Sequence, residues 1–199
     1  MRILVVGTAG NVGKAAVAEL KPRHEVITAG RSSGDVRVDL LDAASISAMY
    51  EKLGKLDAVL ACAGHAYYGP LATMNESQFM MGLKDKLMGQ VNLVLLGTSH
   101  VNDRGSFTLT SGVLDRDPIL KGANGATVNA ALKGFVTSAA IELERGIRIN
   151  VVSPGLMQES VEKYAGFFPG HEPVSSARVG LAYAKSVEGA ITGQVIIIE

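Results

Sequence analysis

The chain opens with Arg2-Ile3-Leu4-Val5-Val6 and continues Gly7-Thr8-Ala9-Gly10-Asn11-Val12-Gly13. The first five residues form a strand with an apolar core, the pattern of a sheet buried on both faces. Residues 11–20 carry apolar side chains at helical spacing, and Pro22 marks the end of that helix. Three glycines spaced three apart therefore join a strand directly to a helix. Gly7 permits a tight turn, Gly10 lets the backbone approach a pyrophosphate, and Gly13 lets the helix pack closely on the sheet. The helix N-terminus adds unpaired N–H groups and positive potential for the phosphates. Gly7, Thr8, Gly10, Asn11, Val12 and Gly13 are thus the candidate phosphate cradle. A tight turn without a ligand uses the same glycines, but the strand before and the helix after are what the dinucleotide mechanism requires.

The second strand, residues 25–29, ends in Gly30-Arg31-Ser32-Ser33. A carboxylate there would hold a ribose 2′-hydroxyl. Gly30 offers none, whereas Arg31 offers a guanidinium for a 2′-phosphate, with Ser32 beside it. This favours NADP(H) over NAD(H), against the alternative of a solvated turn arginine.

Further along, apolar β-branched runs alternate with helical patterns. Strands are expected at 36–38, 57–61, 106–110, 147–151 and 194–198. Helices are expected at 43–53 (stopped by Gly54), at 76–97 with a weak point near Gly89, at 125–144 (ended by Gly146), and at 175–186. Strict β–α alternation predicts one doubly wound α/β domain over residues 1–199, with a parallel sheet of about seven strands between helices. A barrel of eight βα units needs about 250 residues and fits 199 less well.

Composition excludes several classes. Lys+Arg and Asp+Glu are both 19, so the formal net charge is zero and no basic footprint for nucleic acid exists. Cys62 is the only cysteine, which rules out an internal disulfide or thiolate zinc cage. Four scattered histidines argue against a metal site. No apolar run approaches a membrane span, and the early first strand leaves no room for a signal peptide. These features predict a soluble, cytoplasmic protein. Gly is 23 of 199 residues, about 12% against roughly 7% on average, which implies close backbone approaches.

Beyond the glycine turn, the whole length resembles the short-chain dehydrogenase/reductase superfamily. Asp39-Leu40, after the third strand, matches its adenine-binding position. Ala61-Cys62-Ala63-Gly64 stands where most members carry Asn-Asn-Ala-Gly, placing Ala63 and Gly64 beside the nicotinamide-side ribose. Arg148-Ile149-Asn150-Val151-Val152-Ser153-Pro154-Gly155 matches the strand and turn beside the nicotinamide, with Pro154 and Gly155 at the turn itself. Thr192-Gly193-Gln194 precedes the last strand, as in the family. The glycine spacing is closer to the extended branch. The resemblance implies hydride exchange between a nicotinamide and a small carbonyl or alcohol. A Tyr serves as general acid/base, a Lys four residues later lowers its pKa and binds the ribose, a Ser orients the substrate oxygen, and an Asn supports a proton relay.

The usual catalytic set is altered here. Ala130-Ala131-Leu132-Lys133-Gly134-Phe135 through Leu143 aligns with the segment that follows the family's Lys, which puts Asn129 at the Lys position and Gly125 at the Tyr position. Lys133 then lies one turn further on, about 5.4 Å along the axis, and is expected to face a partner subunit or the sheet margin. Lys86 sits at the Asn position, whereas Ser111 keeps the Ser position. Ser111 and Lys86 are the catalytic candidates, since a desolvated lysine can act as an acid. A salt-bridged or solvated lysine is the plainer reading. His65, Tyr67 and Tyr68 flank the expected cleft as donors or as loop packing. Tyr164, Phe167 and Phe168 match a substrate lid or ordinary helix packing. Cys62 reads as a buried small residue. Two functions follow: an NADP(H)-dependent oxidoreductase with a non-standard active site, or an inactive NADP-binding sensor or scaffold module. A homodimer or homotetramer is expected through the helices at 81–97 and 125–144, whose small residues allow close approach.

Overall fold

Ile3, Leu4, Val5 and Val6 are all buried, and successive side chains leave the strand on opposite faces. Leu4 and Val6 join one apolar layer with Tyr50, Leu93, Val128 and Leu132. Ile3 and Val5 join the other, with Ala16, Leu20, Val179 and Tyr183. This first strand, β1 (Arg2–Val6), therefore sits at the centre of a three-layer molecule. The computed structural model describes residues 1–199 apart from the side chain of Ala165.

The elements run β1, α1 (Asn11–Leu20), β2 (Glu25–Gly30), β3 (Val36–Arg37), α2 (Ala43–Leu53), β4 (Leu56–Ala61), α3 (Glu76–Gly82), α4 (Gly89–Gly97), β5 (Val101–Thr110), α5 (Ala123–Glu142), β6 (Arg148–Pro154), α6 (Val161–Tyr164), α7 (Ser176–Glu188) and β7 (Val195–Ile198). The seven strands are parallel in the order β3-β2-β1-β4-β5-β6-β7. Strand order reverses between β1 and β4, so the crevice beyond their carboxyl ends is where this architecture binds ligands. α2, α4 and α5 cover one face; α1 and α7 cover the other.

The doubly wound sheet and the single domain follow the sequence reading, with three local differences. The weak point expected near Gly89 is a π-helical stretch at Leu83–Met88, while Gly89 itself is helical. Gly89 is small for another reason: a Cβ there would lie 3.0 Å from Leu40 Cβ. Helix α5 stops at Glu142, well before Gly146. Arg145 and Gly146 both adopt positive φ in the turn that feeds β6. Finally, β5 starts at Val101, five residues earlier than expected. Asn102-Asp103-Arg104 are polar, and Arg104 has φ 63° within the irregular start of the strand.

Candidate functional site

The glycine turn leaves β1 into the crevice. Gly7 has φ 95°, and a Cβ on it would lie 2.7 Å from Ala63 Cβ. A Cβ on Gly13 would collide with the Gly7 carbonyl, so the turn and helix α1 are pressed together. Gly10 differs: a Cβ there would meet nothing nearer than Gly7 O at 3.8 Å, and no side chain caps the start of α1. The first-turn N–H groups thus face an open cradle, the donor arrangement that binds phosphate. A cleft of ≈ 200 Å³ continues from it, lined by Gly7, Thr8, Arg31, Ser32, Asp39, Leu40, Ala63 and Gly64 among others. Arg31 and Ser32 are exposed on its rim. Asp39 Oδ1 accepts a hydrogen bond from the Leu41 N–H at 3.0 Å, bracing the wall opposite the turn. Residues 2–13 thus form what a dinucleotide phosphate requires, and Arg31 places a guanidinium on the rim of the adjoining cleft.

Deeper in the crevice, β4 and β5 bring the catalytic candidates together. Gly64, just past β4, has φ 127°, and a Cβ on it would lie 2.7 Å from Lys86 Cα and 2.8 Å from Lys86 Cγ. Only a glycine with this backbone lets the lysine stem pass. Lys86 lies in the π-helical stretch, a distortion often found at functional sites. Its ammonium donates to Asn129 Oδ1 at 2.7 Å and to the Ser111 carbonyl at 3.1 Å. Asn129 is 3% exposed, and its Nδ2 donates to the Gly112 carbonyl at 3.2 Å. The asparagine's two polar atoms are therefore both engaged within the protein. Lys86 and Asn129, 43 residues apart in sequence, thus meet side chain to side chain. Burial pulls the Lys86 pKa down to about 8, against the opposing pull of the Asp115 carboxylate.

Ser111 sits at the end of β5 and is buried. Its hydroxyl lies 3.0 Å from the Asn129 carbonyl and 3.2 Å from Asp115 Oδ2, two acceptors for one proton. Asp115, whose side chain is fully buried, closes the 3₁₀ turn Val113–Asp115. Arg116 Nη1 pairs with it at 2.9 Å and donates to Ser153 Oγ at 2.7 Å. Lys133 Nζ lies 3.8 Å from Asp115 Oδ2. This corrects the expected outward course of Lys133: a buried carboxylate one turn away draws it toward the Ser111 turn. Asp115 itself was missed in the sequence, although its place four residues after Ser111 was a usable signal.

The remaining candidates separate. Pro154 ends β6, and the Gly155 N–H donates to the Ile198 carbonyl at 2.8 Å, fixing that turn at the sheet end. Asn11 Nδ2 donates to Ser160 Oγ at 3.1 Å, tying the segment after the turn to the phosphate cradle. His65 points outward and meets Asp85 at 3.2 Å. Tyr67 folds over Gly69, whereas Tyr68 is partly exposed. Cys62 is partly buried beside Tyr183 and Thr110, and desolvation raises its thiol to about 12, so it is no nucleophile at neutral pH. No group of metal-ligating side chains occurs among the described residues, and none of the described helices is long and apolar enough to cross a membrane.

A family model described as enoyl-(acyl carrier protein) reductase matches residues 3–181. The short-chain reductase protein NovJ of Streptomyces niveus is 26% identical over 83% of this chain and 65% of its own. The short-chain dehydrogenase/reductase ucsE of an Acremonium species is 32% identical over 56% of this chain and 44% of its own. The chain thus spans less than two-thirds of the length of either curated relative. Among solved structures, the protein lin1944 of Listeria innocua superposes with a TM-score of 0.99 at 47% identity, covering all of both chains. A crystal structure described as a small-chain dehydrogenase in complex with NADPH gives a TM-score of 0.88 at 25% identity over 100% of this chain and 96% of that one. With its sheet order, glycine turn and Ser111 in place, the chain belongs to the short-chain dehydrogenase/reductase superfamily, a family of oxidoreductases.

Proposed function

We propose that the protein is an NADP(H)-dependent oxidoreductase that reduces a small carbonyl or oxidises the matching alcohol, with a rearranged active site. The observation that carries this reading is the Lys86–Asn129 contact beside Ser111. It keeps an ammonium between the nucleotide cleft and the β5 end, although the lysine comes from the other helix. The NADPH-bound neighbour supports the cofactor assignment.

When bound, NADPH supplies the hydride. The first-turn N–H groups of α1 hold its pyrophosphate, and Thr8, Asn11 and Val12 line that turn. Arg31 pairs with the 2′-phosphate, assisted by Ser32. Asp39 and Leu40 flank the adenine, whereas Ala63, Gly64, Pro154 and Gly155 bound the nicotinamide side. Asn129 acts indirectly, by holding Lys86. An ammonium has three donors, and Lys86 directs two at protein atoms; the third would serve the cofactor ribose. The Ser111 hydroxyl orients the substrate oxygen. The Asp115–Arg116 ion pair lies beside that hydroxyl and fixes its acceptor.

The protein acts as a homodimer or homotetramer in the cytoplasm in this reading. Ala130, Gly134 and Ser138 are exposed along α5, and Leu95 is exposed on α4, as an interface between copies requires. Calorimetry with NADPH and NADH, followed by a panel of small carbonyls monitored for loss of NADPH absorbance, tests the function. Tighter binding of NADPH and carbonyl-dependent oxidation are expected. Binding without oxidation of NADPH by any carbonyl would instead favour a sensor or scaffold module, the reading to which Gly125 lends weight.

A further inference from the structure

Gly125 lies on the buried side of α5, one turn before Asn129. A Cβ placed on it would meet Leu114 Cδ1 and the Tyr68 hydroxyl, both at 3.2 Å, and Tyr68 Cε1 at 3.5 Å. The space beside this glycine is therefore filled by a phenol from a different element, the loop between β4 and α3. Leu114 belongs to the 3₁₀ turn that ends in Asp115, an acceptor of the Ser111 hydroxyl, so the turn after Ser111 and the Tyr68 loop both border Gly125.

The loop is clamped on both sides of Tyr68. Asn124 is fully buried; its Oδ1 accepts from the Tyr67 N–H at 2.8 Å and its Nδ2 donates to the Phe79 carbonyl at 2.6 Å. On the other side the Gly69 N–H donates to the Lys121 carbonyl at 3.1 Å. Tyr68 itself remains 55% exposed, so solvent and ligand can reach it. Desolvation and the nearby Tyr164 raise its pKa, with no protein hydrogen bond contributing, which keeps the hydroxyl protonated through neutral pH.

We propose that Tyr68 is the proton donor to the substrate oxygen, delivered by the β4–α3 loop into the space over Gly125. This rests on the oxidoreductase reading above. In reduction, the carbonyl carbon gains a hydride from NADPH and the carbonyl π bond opens onto oxygen. The Tyr68 O–H bond breaks and its proton passes to that oxygen, giving the alcohol. The carbonyl is reduced, NADPH is oxidised to NADP⁺, and the phenolate regains a proton from water. Oxidation of the alcohol runs the same steps in reverse.

Two measurements test the proposal on the full chain. The first is the ultraviolet tyrosinate difference titration of wild type against Tyr68→Phe, with NADPH and with NADP⁺ bound. The oxidised nicotinamide carries a positive charge, so a hydroxyl beside it should titrate on the order of one pH unit lower in the NADP⁺ complex. The second is single-turnover oxidation of bound NADPH by benzaldehyde and other small carbonyls. Tyr68→Phe should slow it by about 10²–10⁴-fold, the usual contribution of a general acid, with NADPH affinity unchanged. Gly125→Ala should slow it too by displacing the hydroxyl, whereas Tyr67→Phe should not. Equal titration of Tyr68 in the two complexes, or wild-type turnover in Tyr68→Phe, overturns the proposal. A Tyr68 titration that follows the cofactor charge in a protein that oxidises no NADPH supports its placement and sinks the oxidoreductase reading instead. Failure to bind either cofactor overturns both.

Discussion

The Lys86 ammonium is held by two acceptors and stripped of much of its water, and its pKa falls to about 8 as a result. Below that value it is a cation; above it the amine is neutral and a weaker donor. NADPH affinity should therefore fall as pH rises through about 8, and the step should sit higher in the complex, because the bound diphosphate favours the charged form. In Lys86→Met the step should vanish, and calorimetry across pH 6.5 to 9.5 (a range of about three units around the transition) reads it; an unchanged step would remove Lys86 from the cofactor site. Arg31 carries a separate expectation. It is exposed on the cleft rim, so a surface-like charge pair with the 2′-phosphate is worth roughly 1–3 kcal/mol as a charge-assisted contact. Arg31→Ala should erase most of the NADPH-over-NADH preference while leaving NADH affinity alone. Equal affinity of wild type for the two cofactors would contradict it. Both residues were singled out in the sequence by position, but the contact between Lys86 and Asn129 was not: the two are 43 residues apart, and local pattern carries no information on which side chains converge.

At the level of elements, the loop after β4 and the N-terminus of α5 behave as one unit through Asn124. Removing that side chain leaves the partly buried Tyr67 N–H and Phe79 carbonyl without their partner. An orphaned group costs about 1–3 kcal/mol when fully buried, an upper bound for these two. Asn124→Ala should lower the urea midpoint accordingly and speed amide exchange at Tyr67 above the rest of the sheet; an unchanged exchange rate there would show that the loop is held by other means. Gly64 makes a comparable case. Its φ of 127° and the Lys86 stem beside it leave no room for a methyl, so Gly64→Ala should both destabilise the fold and weaken NADPH binding. Elements with one dominant signal were readable: α1 and α2 match the expected spans, because Pro22 follows the first and Asp42 and Gly54 bracket the second. The failures came where two signals compete. The polar Asn102-Asp103-Arg104 segment hides the start of β5, and Gly146 masks an earlier stop of α5 at Glu142. The π-helical stretch had no sequence mark beyond a lower helical regularity; within it, Lys86 packs against Gly64 and bonds to Asn129, residues remote in sequence.

For the whole molecule, β–α alternation was enough to assign the parallel sheet, and hence the strand ends as the place to look; the switch point between β1 and β4 is visible only in the strand order. It could not assign neighbours across copies. On α5, a Cβ at Gly134 would meet nothing within 4 Å in one copy of the chain. If α5 packs against its counterpart across a two-fold axis, a bulky side chain there is tolerated by the protomer and forbidden at the interface. Gly134→Phe should therefore halve the mass seen by light scattering with little change in the thermal midpoint, and a wild type already monomeric at micromolar concentration would rule the interface out. Whether the cleft transfers hydride is tested most directly by rapid mixing of the NADPH-loaded protein with an excess of small carbonyls, including benzaldehyde. A single-exponential loss of bound NADPH absorbance that depends on the carbonyl, and that slows sharply in Ser111→Ala and Lys86→Met, is the expected result. Saturating NADPH binding with no such loss against any carbonyl would contradict it.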